Sequence, residues 1–171
     1  MKKTICLILA LTFALSLAAC GEKTPQTVNT ALDGTPEQII EKIYAAHPYI
    51  NAILQATPVH AMAFAVTETR FDPRTIPESY ILLRDVKRLP YGQIYKDHQK
   101  TAAEFGEASP AIMADNDCVI VTGSTLLQAF DRLEVMESTA HSIINASAVG
   151  QIIHISDEEV EDLKVAFNLK D

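Results

Sequence analysis

The sequence predicts an α/β domain of layered helices and strands, on three observations. Stretches with apolar residues at helical spacing alternate along the chain with short apolar runs. Two of those runs, Ala111 to Ala114 and Val119 to Val121, are separated only by Asp115, Asn116 and Asp117, which reads as two buried strands joined by a tight turn. At 171 residues and 48% apolar content, the chain can bury one sizeable core.

The first twenty residues stand apart from that pattern. Lys2 and Lys3 precede an apolar run from Ile5 to Leu15, too short to span a bilayer, and Leu17-Ala18-Ala19-Cys20 follows. Small residues directly before a cysteine, with Gly21 after it, resemble a bacterial lipobox. The alternative is an ordinary signal peptide with an incidental cysteine. The lipobox implies cleavage of residues 1–19, lipidation of Cys20 and a chain held at the cell membrane, facing outside the cytoplasm. Two or three acyl chains on one residue anchor stably where one does not.

Cleavage would lower Lys+Arg from 14 to 12 against 22 Asp+Glu, a mature charge of about -10, which makes nucleic acid an unsuitable partner. Cys6 would leave with the leader and Cys20 would be blocked, so Cys118 would be the only free thiol and no intrachain disulfide could form. Residues 20–35 carry the lipidated cysteine and then a small, polar, aperiodic stretch that reads as a flexible stalk.

The domain is predicted over 36–171. Ile39, Ile40, Ile43 and Tyr44 fall on one helical face after Pro36, which suits a first turn, and Pro48 ends the segment. A strand from Asn51 to Leu54 and a helix from Pro58 through Met62, Phe64 and Val66 follow, and RFDPRTIPE reads as loop. Between Gly123 and Gly150 lies the strongest helical pattern, with Leu126, Phe130, Leu133, Met136, Ala140, Ile143 and Ile144 in one stripe and Thr125 and Gln128 at capping-box spacing. Ile152 to Ile155 is expected as a last strand. Ser156 and Glu159 repeat the capping box before a terminal helix bearing Val160, Leu163 and Phe167.

His47, His60, His98, His141 and His154 include no His-x-His or His-Glu-x-x-His spacing, so no zinc site can be read from them. His141 reads as exposed, His47 as a helix-end cap, Glu134 and Glu137 as a solvated helix face, and Cys118 as a small packing residue. No G-x-S-x-G, P-loop or dinucleotide fingerprint is present.

From Tyr44 to about Phe167 the chain resembles the class II aldolase/adducin family. The resemblance rests on IYAAHPYINAILQATPVHAMAFAV, ADNDCVIVTGSTLLQAFDRLEVMESTA and SDEEVEDLKVAFNL, in the family's order. It implies a layered αβα domain that lacks the family's N-terminal segment, because leader and stalk occupy the place of the Gly-Asn-x-Ser phosphate loop. It also implies an ancestral activity, metal-dependent aldehyde lysis of sugar phosphates, and active sites shared between subunits of a homo-oligomer.

The family's zinc-binding His-x-His pair falls on Gln55 and Thr57, and the histidine of its Asn-His-Gly turn falls on Asp117. The resemblance therefore implies a degenerate metal site, no zinc cofactor and no working zinc aldolase. The catalytic glutamate falls on Pro36, and Glu37 could take its role only if the helix start slips by one residue. The phosphate-binding serines correspond at best to Gly34 and Thr35. Two other readings are a non-catalytic, membrane-anchored binding or assembly module for an unnamed small molecule, and a lipoprotein leader fused to an aldolase fragment. In the fusion case the protein would stay cytoplasmic.

Overall fold

The computed structural model describes residues 35–169. The predicted leader, Cys20 and most of the stalk lie outside them. Chain order is α1 (Pro36–Ala46), β1 (Ala52–Ala56), α2 (Val59–Ala65), α3 (Pro77–Leu83), β2 (Lys87–Leu89), α4 (Gln93–Lys96), α5 (His98–Ala103), β3 (Ala111–Ala114), β4 (Cys118–Gly123), α6 (Leu126–Val149) and α7 (Asp157–Ala166). The four strands form one sheet in the order β1-β4-β3-β2, with β2 and β3 parallel and the other pairs antiparallel.

Alternation along the strands sends residues to two faces. Ile112, Ala114, Cys118 and Ile120 pack with Ile39, Ile43, Ile94 and Ala102 beneath α1, α4 and α5. Ala111, Met113, Val119 and Val121 pack with Ala61, Leu83, Met136 and Ala140 beneath α2, α3 and α6. The mixed αβα domain predicted from the sequence is present. Both faces are covered, so every residue of β3 and β4 is buried and their sequences run apolar up to Thr122, whose hydroxyl donates to the Pro110 carbonyl at 2.9 Å.

The turn between β3 and β4 falls where expected. Asn116 adopts a left-handed φ of 55°, which asparagine tolerates better than most residues, and its amide donates to the Ala65 carbonyl at 3.0 Å. The turn is thereby tied to the end of α2. At the other end of β4, Gly123 is needed for space: a Cβ there would lie 2.6 Å from the Ala129 nitrogen. That close approach seats α6 on the sheet. Thr125 caps α6 by accepting from the Gln128 amide at 3.1 Å, while the Gln128 side chain accepts from Ser124 instead of closing the box. The Ser156–Glu159 box before α7 is complete.

Four expectations need correction. Ile152 to Ile155 forms no strand: only the Ile155 amide finds a backbone partner there, the Arg74 carbonyl at 2.9 Å, and Ile153 stays exposed. Pro77 and Glu78 begin α3 rather than ending a loop, because a proline suits the first helical turn. In α6 the expected stripe is only partly buried: Met136, Ala140 and Ile143 are covered, whereas Leu126 and Phe130 are each 53% exposed. Helix α6 is seated by Ala129 at that end, and the two larger side chains turn away from the sheet. Finally, Glu137 does not belong to a solvated face, as the site geometry shows.

Candidate functional site

The C-terminal ends of β1, β2 and β3 and the start of β4 share one end of the sheet. The register sets Gln55 opposite Ile120 and Ala56 opposite Val119, so Thr57 follows at the level of Cys118. Gln55 lies on the α1/α4/α5 side with Cys118, because side chains two apart share a face. The structure thus brings Gln55 to the turn that carries Asp117.

A small polar network occupies this corner. The Tyr95 hydroxyl donates to Asp117 Oδ1 at 3.3 Å. The buried Cys118 thiol is hydrogen-bonded by the side chains of Asp117 and Gln55. Burial first, then the charge of Asp117 and its hydrogen bond, push Cys118 up to about 12. Burial and the same carboxylate push the Tyr95 phenol up to about 12. Thiol and phenol are therefore both protonated donors at neutral pH, and Asp117 is their shared acceptor. A thiol so held is no nucleophile, in line with a packing role for Cys118.

This donor set does not fit zinc. Gln55 supplies a neutral amide turned toward sulfur, Thr57 an exposed hydroxyl, and Asp117 a carboxylate already engaged by two donors. Among the described residues, no three His, Cys, Asp or Glu side chains form a group able to hold a metal ion. Glu37 is exposed in the first turn of α1. Hydrogen bonds from the Thr35 side chain and its own backbone amide lower its pKa, and no described bond links it to Gln55, Thr57 or Asp117. His47 gives Nε2 to the Ala102 carbonyl at 2.8 Å, which joins the end of α1 to α5.

On the opposite face of the sheet lies an arrangement the sequence did not reveal. Glu137 on α6 accepts from the backbone amides of His60 at 3.0 Å and Ala61 at 2.9 Å, and from His60 Nδ1 at 2.7 Å. A carboxylate 77 positions away in sequence thus caps the free amino end of α2, which Pro58 cannot cap. Burial acts to raise the Glu137 pKa, but these hydrogen bonds outweigh it and the net shift is downward. The exposed ring of His141 stacks on His60 with centroids 4.0 Å apart. Nothing in the spacing of either histidine signals this contact.

The fold is a mixed α/β domain with helices packed on both faces of a four-stranded sheet. The chain belongs to the family described as the class II aldolase and adducin N-terminal domain, which matches residues 39–144. YgbL from Klebsiella pneumoniae is similar in structure, at 24% identity and a TM-score of 0.61, over 74% of this chain and 63% of that one. An aldolase II superfamily protein from Pseudomonas syringae is similar at 17% identity and a TM-score of 0.63, over 75% and 53%. L-fuculose 1-phosphate aldolase from Glaciozyma antarctica PI12 is similar at 23% identity and a TM-score of 0.60, over 75% and 49%. The chain thus spans between about half and two thirds of the length of these structures. No curated protein matches it.

Proposed function

We propose that this chain is a class II aldolase-type domain whose metal site has degenerated, and that it serves as a non-catalytic, membrane-tethered binding or assembly module. The observation that carries this reading is the corner at Asp117. One carboxylate, shared by Tyr95 and Cys118, and one amide hydrogen-bonded to sulfur stand where zinc would need strong, free ligands. Without a Lewis acid to hold substrate oxygens, cleavage of a carbon-carbon bond through an enediolate lacks its main stabilisation. Purified protein should therefore contain well under one zinc per chain by elemental analysis and should not cleave L-fuculose 1-phosphate, the compound in the names of two similar structures. One tightly held zinc per chain, or turnover with added zinc, would end the reading. A small molecule and further copies of the chain remain its proposed partners.

The tether belongs to the same proposal. It rests on the lipobox at Cys20 and places the domain at the cell membrane, outside the cytoplasm. Among the described residues no helix is long and apolar enough to cross a membrane. Expressed in a bacterium with its leader, the protein should sediment with membranes and incorporate labelled fatty acid, and Cys20→Ala should abolish the label. A soluble, unlabelled wild-type protein would rule the tether out.

A further inference from the structure

At the end of the sheet away from Asp117, a cleft of about 430 Å³ opens where β4 passes into α6. It is a full strand length from the corner described above, roughly 17–20 Å at ordinary strand rise, and shares no residue with it. Two arginines, Arg84 and Arg132, line the cleft against a single acid, Glu107. Arg84 donates to the Glu107 carbonyl at 2.9 Å, and the lining keeps an excess of one positive charge in a chain whose net charge is -8.

Arg132 is the unusual member. It is partly buried, its Nε donates to the Leu82 carbonyl at 3.1 Å and its Nη1 to the Thr122 carbonyl at 2.6 Å. Both partners are neutral. No carboxylate pairs with Arg132 among the described residues, and its Nη2 makes no hydrogen bond within them. Burial, followed by the charge of Arg84, lowers its pKa, the sign expected of a cation that lacks an anion. A guanidinium carries five N–H donors, so donors remain for a ligand. A partly buried charge gives up some of its solvation, and an incoming anion would offset that cost.

Two further features point the same way. Ser124 and Gln128 line the cleft at the amino end of α6, a helix of 24 residues whose dipole favours negative charge there. Ile50, Leu82 and Leu169 give the cleft an apolar part, alongside the polar Tyr49, Thr122 and Asn168. We propose that this cleft binds a small monocarboxylate with a short apolar chain, its carboxylate held by Arg132 at the amino end of α6 and its chain against Ile50, Leu82 and Leu169.

Calorimetric titration of the full chain with sodium butyrate, at ionic strength fixed with chloride, should show saturable one-to-one binding. Gln128→Glu retains an oxygen for Ser124 and suits the third helical position, so it should leave the melting temperature unchanged while adding a negative charge to the cleft. Butyrate affinity should then fall at least about tenfold, the loss expected from placing like charges in contact. Arg132→Met should weaken binding similarly, and Gln128→Glu decides the matter if that variant fails to fold. No butyrate binding by the wild type would overturn the proposal, as would binding that survives Gln128→Glu. Tighter binding of inorganic phosphate than of butyrate would overturn the ligand class.

Discussion

Glu137→Ala is expected to lower stability by about 2 kcal/mol at neutral pH, the sum of a lost helix cap and lost charge-assisted hydrogen bonds. Three donors meet that carboxylate, two of them backbone amides of α2 that have no other capping group. In a chain of this size the loss corresponds to roughly 4–8 °C in melting temperature. Glu137→Gln should recover little, because a carboxamide replaces one acceptor oxygen with a donor that faces other donors.

The pH dependence has a definite sign. The folded-state pKa of Glu137 lies below its unfolded value, so its contribution is complete above the ordinary glutamate range and disappears as pH falls through the depressed folded value. Urea unfolding of wild type and Glu137→Ala should therefore differ at pH 7 and converge in acid, once pH falls below the depressed folded value. Equal stabilities at pH 7 would show that water caps α2 as well as the carboxylate does.

Restoring histidines should produce the second large change. Gln55→His, Thr57→His and Asp117→His together are expected to raise bound zinc or cobalt from near zero to about one ion per chain, a tetrahedral site with one open position. The register supports this, since Gln55 lies near the end of β1 and Thr57 directly follows it, opposite a strand that begins at Cys118, and the Gln55 side chain already reaches the Cys118 thiol beside Asp117. Cobalt absorption would report the geometry. Activity is not expected to return, because Glu37 is exposed in α1 and no described bond links it to this corner. Failure of the folded triple variant to bind either metal would sink the residue-by-residue correspondence on which the proposal of a degenerate site rests.

Much of the fold was legible because its signals are local. Apolar runs around Asp115, Asn116 and Asp117 mark a hairpin whatever surrounds it, and a 24-residue helix declares itself by period and cap. The four elements from α3 to α5 left no comparable mark. Strand β2 has three residues, two of them charged, and α4 and α5 have four and six, too short for a period to emerge. Ile152 to Ile155 erred in the opposite sense: an apolar run has strand character, but pairing requires a free sheet edge within reach, which composition cannot report.

The site divides along the same line. By itself, the sequence determined that Gln55, Thr57 and Asp117 are not imidazoles, since ligand chemistry belongs to residue type and is unchanged by folding. Only the tertiary structure decided what those residues do instead: Asp117 becomes the acceptor for Tyr95 and Cys118 because strand register sets three separated segments at one corner. Folding likewise moved Glu137 from an apparent solvated face to the amino end of α2, and left Arg132 partly buried with no carboxylate partner among the described residues. Burial and long-range pairing create both effects, and neither quantity exists until helices and sheet have packed.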